Sequence, residues 1–86
     1  MMTIEETINK KVCETGEWDG TCHVLFLDNI KSGIDGYPDA TGVYVGNDGI
    51  LSVHVSNEDD SDYYFARLNE LSIKAICEIY GQVMEG

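Results

Sequence analysis

The residues best suited to do chemistry form a dense run of carboxylates. Residues 58–62 read EDDSD and hold four acids in five positions: Glu58, Asp59, Asp60 and Asp62. Clustered carboxylates bind hard cations, but an EF-hand loop also needs Gly at its sixth position and Glu at its twelfth. A loop that starts at Glu58 has Tyr63 and Asn69 there. The EF-hand motif therefore fails, and the run indicates either a weak, irregular calcium site or a solvated turn before a strand.

The cysteines and histidines lack the spacing of a zinc site. Eight residues separate Cys13 from Cys22 and His23, which is not the short paired spacing of zinc fingers. Neighbouring residues of a strand point to opposite faces, so Cys22 and His23 are poorly placed to share one ion. Cys77 is predicted to be a buried free thiol on a helix face. No metal and no cofactor are predicted.

A serine and histidine arrangement on one strand is the strongest candidate for catalysis. Ser52, His54 and Ser56 alternate along the chain and are predicted to share one strand face. Such neighbours lie about 7 Å apart, beyond hydrogen-bond reach, and no carboxylate in the sequence obviously orients His54. The sequence also lacks a glycine-rich phosphate loop with its lysine. We therefore predict that the protein is not an enzyme.

The charge balance limits the class of partner. Sixteen acids oppose five bases, which gives a net charge of -11. Direct binding to nucleic acid or to an anionic membrane is disfavoured, because both depend on Lys and Arg. A basic protein is favoured as a partner, although such a charge also simply keeps a small protein soluble. The acidic start of the chain, the odd number of cysteines and a longest apolar run of four residues, 24–27, predict a cytoplasmic protein.

Helices are predicted at both ends of the chain. Thr3 and Glu6 form a capping-box pattern, and Gly16 is predicted to end the first helix in the left-handed conformation. Ser72 is predicted to cap the last helix. The apolar face of this last helix is predicted to consist of Ile73, Ile76, Cys77, Tyr80, Val83 and Met84.

Strands are predicted between the helices, at 21–28, in a hairpin within 41–56, and at 62–68. The apolar pattern selects a three-residue hairpin loop over 47–49, with Gly49 left-handed, because a two-residue turn would mix the faces. The inner face is then Val43, Val45, Leu51, Val53 and Val55, and the outer face is Tyr44, Ile50, Ser52, His54 and Ser56.

Residues 29–41 are predicted to form a long loop that presents Tyr37, flanked by Gly36 and Pro38. The alternative is that Ile30 and Ile34 fold back on the core or make a short extra strand. With this loop, residues 1–86 are predicted to form one small α+β domain. Its antiparallel sheet would have about three to four strands, with the hairpin central and the order α-β-(loop)-β-β-β-α.

The sequence thus favours a small, non-enzymatic interaction or regulatory module that binds a protein partner, which could be a second copy of itself. The alternative is an acidic decoy that mimics nucleic acid and inhibits a basic nucleic-acid-binding protein; weak calcium binding is a third hypothesis. The interaction candidates come from the apolar outer hairpin face, the loop and the acidic side: Tyr37, Asp39, Tyr44, Ile50, His54, Glu58, Asp59, Asp60 and Asp62. Asp35 and Asp48 extend the acidic side. No motif in the sequence indicates a known family.

Overall fold

The computed structural model describes residues 1–85 and places two helices on one face of a five-stranded antiparallel sheet. The helices are α1 (Ile4–Thr15) and α2 (Ile73–Glu85). The strands are β1 (Glu17–Trp18), β2 (Cys22–Ile34), β3 (Tyr37–Gly46), β4 (Leu51–Ser56) and β5 (Tyr63–Ala66), and a short 3-10 helix covers Leu68–Glu70. The strands lie in chain order, so the sheet is a meander. The predicted α+β class is confirmed, and the sheet is larger than the three to four strands expected.

The first helix begins as the sequence predicts but ends differently. The Thr3 hydroxyl accepts a hydrogen bond from the Glu6 N–H at 3.1 Å, and the Glu6 carboxylate accepts one from the Thr3 N–H at 2.9 Å. Gly16, however, has φ -74° and ψ 160°, so the prediction of a left-handed cap is wrong. The reason is that the chain leaves the helix directly into β1. A side chain at this position would lie 2.6 Å from the Val12 carbonyl oxygen, which explains the glycine.

Residues 29–34 and 37–41 are part of the sheet, so the prediction of a long loop is wrong. Ile30 and Ile34 contact the core, as the alternative expected, but they lie in a continuation of β2 and not in a short extra strand. β2 continues to Ile34, the chain turns at Asp35 and Gly36, and β3 begins at Tyr37. The register of β2 and β3 shifts twice, between Phe26 and Ile30 and between Lys31 and Ile34. These irregularities break the two-residue alternation that identifies a strand in a sequence.

The β3–β4 hairpin forms in the predicted register. Val43 pairs with Val53, and Val45 pairs with Leu51. Gly49 has φ 77°, so the loop over residues 47–49 closes with a left-handed glycine. The five predicted inner residues are all at most 1% exposed: Val43, Val45, Leu51, Val53 and Val55.

The second helix packs on the core with a face that matches the prediction in part, since Ile76, Val83 and Met84 of the predicted set contact the core. Its buried residues are Ala75, Ile79 and Val83, whereas Ile73 is 82% exposed and Cys77 and Tyr80 are also exposed. Ser72 caps the helix by accepting the Ala75 N–H at 3.1 Å, as expected. The Ser72 N–H also donates to the Ser32 carbonyl at 3.0 Å. This bond to β2 fixes the start of the helix beside the sheet, where the small Ala75 allows close approach.

The contact between β2 and the start of α2 leads to a prediction about Gly33. This residue has φ 80°, and a Cβ there would lie 2.6 Å from the Ser72 Cβ. Gly36 has φ 85° but open space around it. We expect both Gly33→Ala and Gly36→Ala to be destabilising through backbone strain, and Gly33→Ala to lose about 1–3 kcal/mol more because of the clash.

Urea unfolding of the two glycine variants checks this expectation, because each serves as the control for the other. Equal losses of unfolding free energy would show that Ser72 does not lie against Gly33.

The exposed edge of β2 is partly covered by a side chain of α2. β1 pairs with β2 only at His23 and Val24. Further along, the Gln82 side chain accepts the Asp28 N–H at 2.8 Å and donates to the Asp28 carbonyl at 2.7 Å. Its amide thus replaces a neighbouring strand, and this edge is protected from pairing with another chain at that point.

Candidate interaction surface

The two faces of the sheet have different surroundings. Side chains alternate along each strand, and those of the inner face pack in one cluster with Ile8 and Val12 of α1 and with Ala75, Ile79 and Val83 of α2. Both helices of the described chain therefore lie on that side. The opposite face, here called the outer face, is open to solvent.

The outer face carries a group of large apolar and aromatic side chains. We call this group the aromatic face; it consists of Phe26, Tyr44, Ile50, His54, Tyr63 and Phe65. Phe26 is 67% exposed, Tyr63 57% and Phe65 49%. Single exposed apolar residues are common on proteins, but a contiguous group of them is typical of a binding surface.

The rings of the aromatic face contact one another in favourable geometries. The Phe65 ring meets the Tyr44 ring edge-on, with centroids 5.1 Å apart, and the His54 ring at 5.3 Å. His54 also stacks on Tyr63 at 4.8 Å with a tilt of 24°. Edge-to-face pairs stabilise by about 0.5–1.5 kcal/mol each beyond simple burial. The surface is therefore an ordered aromatic cluster even without a partner.

Gly42 and Thr41 shape the middle of this surface. One row of paired residues crosses four strands, from Phe26 through Gly42 and His54 to Phe65. Gly42 has no side chain, so a low point remains beneath the Tyr44 ring, which a Cβ would approach at 3.1 Å. Thr41 lies at the register shift of β3, where its hydroxyl is 2.7 Å from Nδ1 of His54. This hydrogen bond holds the imidazole in the cluster.

A groove of about 270 Å³ opens at one end of the aromatic face. Tyr44, Phe65 and Ile50 give it apolar lining, and Asp48 is the charged residue among those that line it. Asp48 is held in place because its carboxylate accepts the Ile50 N–H at 2.9 Å. Binding sites for small molecules usually measure about 300–1,000 Å³, so this groove suits a single side chain better than a whole ligand.

Negative charge lies near the groove. The Asp19 carboxylate accepts the N–H groups of Thr21 and Cys22 at 2.9 and 2.8 Å. These backbone bonds, together with bonds from both side chains, hold the pKa of Asp19 well below its usual range. Burial raises the pKa of the Tyr44 phenol, and the nearby Cys22 and Asp19 raise it further. Asp19 therefore stays ionised at neutral pH, and its negative charge is felt at the Tyr44 side chain, which lines the groove.

Most of the positive charge lies elsewhere. Lys10 and Lys11 belong to α1 and Lys74 belongs to α2, on the helical side of the sheet. Lys31 is 2.9 Å from Asp39, one of the predicted interaction residues, and this pairing raises the pKa of the Lys31 ammonium. Arg67 is exposed and directly follows β5, two residues after Phe65. The aromatic face therefore has carboxylates and this one guanidinium near it.

The predicted acidic run forms the loop between β4 and β5. The Asn57 N–H donates to the Asp62 carbonyl at 3.0 Å, and Asp60 takes the left-handed conformation with φ 60°. Asp59 accepts both the hydroxyl and the N–H of Ser61, which lowers the pKa of its carboxyl. These side chains thus hold the loop in a hydrogen-bonded turn. Such a turn agrees with the interpretation of the acidic run as a solvated turn.

Within the described residues, 1–85, no group of three or more His, Cys, Asp or Glu side chains converges in a way that could hold a metal ion. Asp59 bonds to Ser61, Asp60 accepts the Ser56 hydroxyl at 2.9 Å, and Asp62 accepts the Tyr37 hydroxyl at 2.7 Å. Glu58 is exposed. The weak calcium hypothesis for Glu58, Asp59, Asp60 and Asp62 therefore gains no support from the geometry.

Tyr37 is not presented to solvent as the sequence predicted. It is half-buried against the core, and its ring meets the Tyr64 ring edge-on at 4.9 Å. Its hydrogen bond to Asp62 raises the pKa of its phenol. The reason for the error is that the chain turns at Asp35 and Gly36 and Tyr37 begins β3, where its side chain packs against the core.

The cysteines are also placed differently from the prediction. Cys13 and Cys77 are exposed and Cys22 is half-buried, and all three thiols are free. Cys77 lies on the exposed side of α2. The predicted outer residue Ser56 is only 1% exposed, because it lies next to the acidic loop and donates to Asp60.

The structure thus joins three predicted residues, Tyr44, Ile50 and His54, with others that the sequence analysis did not select. Tyr63 and Phe65 could have been found by continuing the register, because Val53 pairs with Ala66 and His54 pairs with Phe65. Phe26 was not selected because its strand is apolar at successive positions, so the sequence does not show which side chains point outward. Thr41 depends on a register shift for which the sequence carries no clear signal.

Comparison with protein-family models, with curated proteins and with solved structures finds no match for this chain. Among the described residues, none of the helices has both the length and the apolar character needed to cross a membrane. Inference about function therefore rests on the chemistry of the protein's own surface.

Proposed function

We propose that this protein is a small, non-enzymatic binding module that docks a protein partner on its aromatic face. The observation that carries the proposal is the ordered cluster of exposed rings on the side of the sheet that neither helix covers. Aromatic residues are enriched at protein interfaces, and Trp and Tyr are common among the few residues that dominate the binding energy there. A partner would cover this face as the two helices cover the other.

The charge argues for a protein and against nucleic acid on the same surface. Exposed rings on a sheet can also stack on bases, but such sites combine the rings with a positively charged groove. This chain has a net charge of -11, and three of its five bases lie on the helices. Free thiols at Cys13, Cys22 and Cys77 fit the proposed cytoplasmic setting, where the partner would be met.

Capture of partners by tagged protein tests the proposal. We expect a protein retained by the wild type to be lost with Phe26→Ser, because Phe26 is the most exposed ring of the aromatic face. Ile73→Ser is the matched control, since Ile73 is an exposed apolar residue on the helical side. Sedimentation equilibrium of the purified proteins shows whether the partner is a second copy.

A third variant addresses the acidic decoy. Neutralising Glu58, Asp59, Asp60 and Asp62 together would abolish capture if the protein imitated nucleic acid, and binding would weaken steeply with salt. If this variant loses the partner while Phe26→Ser retains it, the proposal is overturned in favour of the decoy.

A further inference from the structure

We infer that the groove at the end of the aromatic face receives an arginine side chain of the partner. This inference rests on the proposed function, because it specifies which chemistry the docked protein must carry. The lining of the groove includes two aromatic side chains, one aliphatic side chain and one carboxylate: Tyr44, Phe65, Ile50 and Asp48. A long side chain with an apolar stem and a cationic head suits this lining, because the stem can contact the apolar side chains while the head meets the carboxylate.

The shape of the groove agrees with this occupant. Its volume of about 270 Å³ accommodates one side chain. Gly46 and Ser52 are small, so they take up little space in the groove. The Tyr44 and Phe65 rings stand nearly perpendicular, at 85°, and both line the groove. A cation over a ring face is attracted by the ring electrons, and this attraction grows as water is excluded.

The charges supply the second part of the match. Asp48 is fixed by the Ile50 N–H, which bonds to one carboxylate oxygen and orients the group before any partner arrives. Cys22 also lines the groove, and its N–H donates a hydrogen bond to the Asp19 carboxylate. Asp19 therefore adds a second negative charge close to the groove. Charge complementarity therefore selects a positive head group.

Arginine fits better than lysine for reasons of shape and hydration. The guanidinium group is planar, stacks on aromatic rings and presents several N–H donors to a carboxylate. The lysine ammonium is a compact ion that holds its water more strongly. The partner segment is therefore expected to present an arginine flanked by apolar residues that contact the rest of the aromatic face.

Titration of the isotope-labelled full chain with blocked tripeptides tests the inference by amide NMR. The probes have arginine, lysine or glutamine between two glycines. We expect the arginine peptide to give saturable shifts at Gly46, Asp48, Ile50 and Phe65, with an affinity on the order of millimolar. The lysine peptide should bind more weakly, and the glutamine peptide should leave these signals unchanged.

Two variants locate the interaction. Asp48→Asn keeps an oxygen that can accept the Ile50 N–H, so the loop is preserved while the charge is lost; binding should weaken about fivefold. Asp59→Asn removes an equal charge from the acidic loop and should bind like the wild type. Equal weakening in both variants, equal shifts with all three peptides, or no saturable shift at the groove would each overturn the inference.

The two experiments distinguish failure of the arginine inference from failure of the proposed docking function. If the arginine peptide fails while partner capture still depends on Phe26, the aromatic face is a docking surface and only the arginine is wrong. If the arginine peptide binds at the groove while capture does not depend on Phe26, the groove is an arginine site and the proposed docking fails.

Discussion

Replacing Ile79 by alanine is expected to lower the free energy of unfolding by about 2–5 kcal/mol. Ile79 is fully buried at the centre of the face of α2 that packs on the sheet. Truncation removes apolar contacts and leaves a cavity that a closely packed core fills only in part. In a domain of this size such a loss is a large fraction of the total stability. Urea unfolding followed by circular dichroism measures it.

Ile73→Ala is the matched control, because it is the same substitution on the same helix. Ile73 is 82% exposed, so its removal should change the free energy of unfolding by less than about 0.5 kcal/mol. The pair also tests the orientation of α2. A larger loss at Ile73 than at Ile79 would mean that α2 turns Ile73, and not Ile79, towards the sheet.

Replacing Phe65 by alanine is expected to weaken partner binding by about 2 kcal/mol or more, roughly thirtyfold. Phe65 is the centre of the aromatic face, since its ring contacts Tyr44, His54 and Tyr63. Its loss removes contact area to the partner and also releases the neighbouring rings. Isothermal titration calorimetry with the captured partner measures the change in affinity.

Tyr80→Ala serves as the control for this substitution. Tyr80 is an aromatic residue of α2 that is 40% exposed, close to the 49% of Phe65, but it lies on the helical side. Partner affinity should be unchanged in this variant. Both proteins are compared where circular dichroism shows them folded, because Phe65→Ala also loses ring contacts within the fold. Equal loss of affinity in the two variants would argue against the aromatic face.

The parts of the fold that were predictable from the sequence are those fixed by local chemistry. Thr3 and Glu6 sit at the spacing of a capping box, and the hydrogen bonds form as expected. The register of the β3–β4 hairpin follows from Val43, Val45 and their partners, because a slip of one residue would expose the whole apolar set.

The parts that were not predictable depend on contacts distant in sequence. The second half of β2 is held by its pairing with β3 and by the bond from Ser72 to Ser32, while the left-handed Asn29 and Gly33 break its pattern. The face of α2 was predicted only in part, because Ile73 and Ile79 are equally apolar and the sequence pattern selected Ile73. What decides between them is which residues can approach the sheet.

The interaction surface was predictable in part for the same reason. Tyr44, Ile50 and His54 follow from the hairpin register alone. Phe65 and Tyr63 require the pairing of β5 with β4 across the acidic loop, and the conformation of that loop includes a left-handed Asp60 that the sequence does not indicate. Phe26 comes from a third strand, and only the assembled sheet brings it beside Gly42.

Site-specific photocrosslinking in the source cells tests the central claim, that the aromatic face is the docking surface, most directly. A photoreactive phenylalanine derivative replaces Phe26 in one protein and Ile73 in another. We predict a discrete adduct from position 26 that excess wild type competes away and excess Phe65→Ala does not, and no such adduct from position 73. The same adduct from both positions, or an adduct at position 26 that both competitors remove equally, would contradict the claim.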